Sequence, residues 1–136
     1  MMEVKKVEGN DTLALLVLFN KYNKSIGLNY TEFISSSILL TELKLGNNLC
    51  LGLYVDEKLV GFSLGNKEPT RLFNILAIYV EPKYRLYAAR ACKIGEGYFK
   101  DFGCTGWVSD SMSSKGLRFM EKLGASPIQI KYYKEL

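Results

Sequence analysis

The chain contains no histidine. That absence excludes a Ser–His or Cys–His nucleophile pair and any metal centre built on imidazole. Cysteine is scarce. Cys50, Cys92 and Cys104 are an odd number with no Cys-x-x-Cys pair, and each sits among apolar neighbours. They read as small hydrophobes in a reducing, cytoplasmic setting, so neither a zinc site nor a disulfide framework is expected. No apolar run approaches the roughly 20 residues that a membrane-spanning helix needs. The opening "MEVKKVEGND" has no signal-peptide pattern, and no membrane role is expected. There is no repeat, low-complexity tract or linker, and of twelve glycines none falls between Gly65 and Gly95. That last gap matters below.

What is present suits one globular domain over residues 1–136. Hydrophobic residues make up 48% of the chain and charged residues 24%, enough for a core without staples. The formal net charge of +4 fits an anionic small molecule. The lysines are scattered, so a nucleic-acid partner is not expected. One dense basic cluster stands out, at Lys83, Arg85 and Arg90.

The pattern changes period along the chain. "VKKV" (4–7) alternates as a first strand. Asn10, Asp11 and Thr12 are N-cap candidates for a helix that stops at Gly27, and Thr31 for a second that stops at Gly46. "LCLGLYVDEKLVGFSLG" (49–65) reads as a β-hairpin turning at Asp56-Glu57-Lys58. "RLFNILAIYV" (71–80) is a nearly continuous apolar run, the mark of a strand buried on both faces, and Pro82 ends it. Residues 85–103 return to helical spacing and stop at Gly103. A strand (105–112), a helix (113–125) capped by Ser113 or Ser114, and an alternating strand (126–136) close the chain. The order β-α-α-β-β-β-α-β-α-β predicts an α/β fold with a mixed sheet and helices on both faces, including a parallel crossover in the second half.

Three stretches of this order resemble the GNAT superfamily of N-acetyltransferases. "LYVDEKLVGFSLG" resembles its central hairpin. "LAIYVEPKYR" resembles its fourth strand running into the Val-x-Pro-x-Tyr-Arg that precedes the acetyl-CoA loop. "SSKGLRFMEKLGA" resembles its late helix. The likeness spans nearly the whole chain and implies a GNAT-like sheet of six to seven strands.

The resemblance further implies acetyl-CoA as co-substrate, without a metal, lying in a gap between strands 72–80 and 105–111. Backbone groups at Ile78, Tyr79 and Val80 would meet the pantetheine arm, and one amide there would polarise the thioester carbonyl. The pyrophosphate would lie on the segment Arg85-Leu86-Tyr87-Ala88-Ala89-Arg90, and Ser113 would cap the last helix and touch the CoA arm. The family writes this loop with small residues where Leu86, Ala88 and Arg90 stand. A leucine forced into a left-handed conformation costs about 1–2 kcal/mol. Two readings stay open: helix-start amides still hold phosphate with help from Arg85 and Arg90, or the segment is simply a helix N-terminus.

The family's thiolate-protonating tyrosine is replaced by Met120, leaving Tyr87, Tyr132 or Tyr133 as substitutes. A base for the incoming ammonium falls to Glu81 or Asp110, each of which also reads as a turn or capping residue. The acceptor would be a small-molecule or protein amine, with Tyr30, Glu32 and Glu42 available to attract a cation. The alternative reading is a catalytically degenerate GNAT-fold protein that binds a protein or nucleic acid. The last strand could pair across a homodimer or serve as an edge within one chain.

Overall fold

The computed structural model describes residues 1–44, 48–109, 114–126, 128 and 134–135. Strand β1 (Met2–Lys6) leads through a 3-10 turn (Gly9–Asp11) into helices α1 (Thr12–Ser25) and α2 (Glu32–Leu43). Strands β2 (Asn48–Val55), β3 (Lys58–Lys67) and β4 (Leu72–Val80) follow. A 3-10 helix (Pro82–Tyr87) then runs into α3 (Ala88–Asp101), and β5 (Gly106–Ser109) and α4 (Ser114–Lys122) complete the order.

The helix boundaries follow the local chemistry, with one exception. Thr31 caps α2 by accepting from the Ile34 amide at 3.2 Å. Asp11 precedes α1 but makes no side-chain cap bond. Its carboxylate instead accepts from Tyr54 Oη at 2.7 Å, while Thr12 Oγ1 donates to the Gly9 carbonyl. Gly27 and Gly103 end α1 and α3 with φ of 83° and 88°, a region open to glycine and costly for other residues.

Five strands form one sheet among the described residues, in the order β1-β2-β3-β4-β5. The first three pairings are antiparallel, and β4 with β5 is parallel, as the crossover through α3 requires. The sixth strand expected over 126–136 falls largely outside the described residues.

Both faces of the sheet are covered. On one face, Leu15, Leu18 and Phe19 of α1 and Leu39 of α2 pack on Tyr54, Leu59, Phe62, Leu64 and Ala77. On the other, Phe99 of α3 packs on Leu49, Leu51, Phe73 and Ile75. The Phe73 and Phe99 rings stack at 4.1 Å. Burying such side chains is the dominant stabilising term.

The period-2 alternation fails at one place in β4. Leu64 of β3 faces Ala77, and the next β3 residue, Gly65, faces Ile75. Leu76 is therefore an extra residue, a β-bulge, and it is 40% exposed. Phe73 and Ile75 point toward α3, yet Ala77 and Tyr79 pack with the α1 cluster. The bulge has moved the pleat by one. Ile78 and Val80 therefore join the α3 face. Thus β4 is not the uniformly buried strand that its composition predicts.

Candidate functional site

The register of β4 and β5 sets the site. Their pairing runs from Leu72↔Gly106 to Ile75↔Ser109. Beyond Ile75, β4 continues through the bulge to Val80 and has no β5 partner among the described residues. On its other edge it stays paired to β3, as Ile78↔Ser63, Tyr79↔Phe62 and Val80↔Gly61. One edge of residues 76–80 is thus open among the described residues.

A cavity of about 740 Å³ lies at this opening, within the size range of small-molecule sites. Ile78, Tyr79 and Val80 form one wall, and Ala88, Cys92, Gly95 and Phe99 of α3 form another. Leu51 and Ser63 contribute from the sheet, Trp107 from β5, and Phe119 and Met120 from α4. Tyr22, Ser25 and Ile26, at the end of α1, also line it. Since α1 and α3 cover opposite faces, the cavity's lining draws on both sides of the sheet.

Of the site residues expected from sequence, the structure brings Ile78, Tyr79, Val80, Arg85 and Ala88 together on this cavity. Leu86, Tyr87, Ala89 and Arg90 are exposed and stand off its wall, Leu86 at 97% exposure. Asp110 and Ser113 lie outside the described residues, as do Tyr132 and Tyr133.

Glu81 also stands off the wall. Its backbone amide donates to Val60 O at 2.9 Å, and its Oε1 accepts from Lys21 Nζ of α1 at 2.7 Å. That hydrogen bond, with the charge of Glu81 behind it, raises the pKa of Lys21 above its ordinary value.

The segment after β4 is a continuous helical run. A 3-10 helix consumes its own amides in i→i−3 bonds. Here the Tyr84 amide donates to Glu81 O at 2.8 Å, and the Ala88 amide donates to Arg85 O. None of Leu86 through Arg90 has a positive φ, so the left-handed strain anticipated for Leu86 does not arise. Arg85 Nε donates to Val80 O at 3.3 Å, at the end of β4.

Charge on the cavity comes from an arrangement that sequence reasoning missed. Arg85, Arg118 and Lys122 are its cations, and Glu96 is the carboxylate. Glu96 Oε2 already accepts from Trp107 Nε1 at 2.9 Å. The mouth is thus net positive and suits an anion. Arg118 and Lys122 are one helical turn apart in α4, a spacing visible in "RFMEK" but without meaning until α4 is placed beside the cavity.

The lining also holds a hydroxyl without a partner. Ser63 Oγ is buried and makes no hydrogen bond. An apolar cavity with a cationic mouth and an orphan polar atom inside fits a long amphiphilic ligand with an anionic end, as an acyl-CoA is. Cys92, on the same wall, is no nucleophile: burial, aided by the nearby Glu96 charge, pushes its thiol up to about 11. Burial alone takes Cys50 to about 12.

No protein-family model matches the chain, and no curated protein matches it in sequence. Solved structures match it end to end. The aminoglycoside 6'-N-acetyltransferase AAC(6')-Iy, in complex with the bisubstrate analogue CoA-S-monomethyl-acetylneamine, superposes with a TM-score of 0.80 at 12% identity, over 100% of this chain and 99% of the other. The ribosomal-protein-alanine N-acetyltransferase of Brucella melitensis biovar Abortus gives 0.75 at 17%, over 100% and 99%. A GNAT family acetyltransferase of Staphylococcus aureus gives 0.74 at 16%, over 99% and 98%. The chain has the fold of the GNAT acetyltransferases.

Proposed function

We propose that residues 1–136 form a single acetyltransferase domain that moves an acetyl group from acetyl-CoA to a primary amine. The observation that carries this reading is an amphiphilic cavity lined by Ile78–Val80 at the end of β4, by α3 and α4, and by the end of α1. The acyl-pantetheine would run along the open edge of Ile78–Val80, with its phosphates toward Arg85, Arg118 and Lys122. A free β4 amide would donate to the thioester oxygen as charge develops there.

The acceptor would enter from the α1 side, past Tyr22 and Ser25. A small-molecule amine is the favoured class, because several neighbours in fold are named as aminoglycoside acetyltransferases. The ammonium would lose a proton to Asp110, or through water to Glu81, which stands off the wall and is paired with Lys21. The amine nitrogen then attacks the thioester carbon, the C–S bond breaks, and the second proton that the nitrogen sheds goes to the departing CoA thiolate, directly or through water. Direct attack is favoured over a covalent enzyme intermediate because the cavity's one cysteine on its described wall, Cys92, stays a protonated thiol at neutral pH. Thiolate is a stable leaving group, so Met120 on the wall slows the step without forbidding it.

A second reading, a binding module that has lost catalysis, is favoured by the amides spent within the 3-10 helix. Calorimetry with acetyl-CoA, followed by release of free CoA thiol with an aminoglycoside, a polyamine and an N-terminal alanyl peptide, separates the two. Micromolar binding with turnover on one amine supports the transferase. Binding without turnover on any amine supports the module, and no binding at millimolar acetyl-CoA removes the transferase reading.

A further inference from the structure

Among the described residues, two buried side-chain atoms lack a hydrogen-bond partner, Asn48 Oδ1 and Ser63 Oγ, and of these only Ser63 lines the cavity. Ser63 sits in the middle of β3. Its neighbours Phe62 and Leu64 turn to the α1 cluster, so Ser63 turns to the α3 side, where the cavity lies. It is level with Leu51 on β2 and Ile78 on β4, both of which also line the cavity. A hydroxyl held out of water without a partner destabilises the fold, and an alanine at the same place would not incur that cost. The position is thus unfavourable for the empty protein and useful only when something polar meets it.

From this we infer that Ser63 is a ligand-contacting residue whose Oγ–H donates to a carbonyl oxygen of an acyl-pantetheine, at an amide or at the thioester. The inference rests on the acyl-CoA reading of the cavity. It assigns β3 a part in binding that backbone contacts along β4 do not supply. The hydroxyl would contact the pantetheine half of the ligand, not its nucleotide phosphates.

The test exploits opposite signs. Ser63→Ala is expected to leave the melting temperature of the unliganded protein level or raised, while weakening acetyl-CoA binding by roughly 3- to 10-fold. S-acetyl-pantetheine, which lacks the nucleotide phosphates, should lose the same factor. Ser63→Thr, which keeps the hydroxyl, should restore binding. Ser63→Cys, similar in size but a poor donor, should behave as the alanine variant and serves in its place if that variant does not fold. Unchanged affinity in the alanine and cysteine variants overturns the inference. So does a melting temperature lowered in the unliganded alanine variant, which would mean that the hydroxyl serves the fold. If the unaltered protein fails to bind acetyl-CoA, the transferase reading and this inference fall together. If it binds and Ser63→Ala binds equally, only the inference falls.

Discussion

The indole Nε1 of Trp107 donates to Glu96 Oε2 at 2.9 Å, tying β5 to α3 on the wall of the cavity. The bond holds β5 near its start against the helix and occupies the cavity's one described carboxylate. It also places the chain's single tryptophan beside the ligand space.

Tryptophan emission should therefore report binding directly. Titrating acetyl-CoA is expected to change the intensity or wavelength of Trp107 fluorescence along the same isotherm that calorimetry records. Glu96→Ala removes the indole's partner and should shift the unliganded emission to the red. Saturable heat without any emission change would contradict a ligand lying at this wall.

The basic residues on the cavity should anchor the phosphates, while those beside it should not. Arg85→Ala and Arg118→Ala are each expected to weaken acetyl-CoA binding by about tenfold, the loss of one charge-assisted contact. S-acetyl-pantetheine should be unaffected, and raising salt should narrow the difference. Arg90→Ala, exposed and off the wall, should bind as the unaltered protein does. Equal losses at all three positions would point to general charge and not to a site.

The β2–β3 hairpin carries avoidable strain. Asp56 and Glu57 have φ of 49° and 69°, the two left-handed residues of a type I′ turn, whose second position favours glycine. Glu57→Gly should stabilise the protein by about 0.5–1 kcal/mol, since the relief of left-handed strain exceeds the entropy that glycine adds to the unfolded chain. Denaturant unfolding checks this through a higher midpoint at unchanged slope.

Stability should fall in mild alkali for an identifiable reason. The Cys92 thiol is raised from 9.0 to about 11 and Cys50 to about 12, in both cases chiefly by burial. As pH rises above 9 the unfolded chain releases these protons while the folded chain keeps them, so unfolding becomes easier up to pH 11–12. Denaturant titrations at pH 8, 9.5 and 10.5 should show this decline, and a Cys50→Ala/Cys92→Ala double variant should reduce it, leaving the part owed to Tyr54, whose phenol is also raised, chiefly by burial. At pH 8, neither thiol should react with a disulfide reagent until the protein is unfolded.

Much of this fold was legible in the residues. The hairpin turning at Asp56-Glu57, the cap at Thr31 and the stops at Gly27 and Gly103 each depend on one local conformational preference. The structure finds them where the sequence puts them. The cavity was legible only in part. Ile78–Val80 and Arg85 could be named because they sit in or beside a strand end whose sequence has a recognisable pattern. Arg118, Lys122 and the Trp107–Glu96 bond could not, because their meaning comes from packing between elements distant in sequence. The bulge at Leu76 was hidden for another reason. "LFNILAIYV" is apolar on both phases of the alternation, so an added residue leaves no mark in its periodicity. For the loop after β4 the sequence left two readings open, a helix start that still holds phosphate or a plain helix N-terminus, and the 3-10 helix follows that path without a left-handed Leu86.

The bulge at Leu76 makes the far half of β4 sensitive to counting more than to chemistry. Exchanging one apolar side chain for another among residues 77–80 alters the shape of a wall. Removing residue 76 would restore the regular alternation and keep Ala77 and Tyr79 toward α1 and Ile78 and Val80 toward α3, whereas adding one residue just after 76 would exchange the two faces from that point on. A lineage carrying this architecture can thus drift in composition along the strand and even lose the bulge, but a one-codon insertion beyond it inverts the chamber wall.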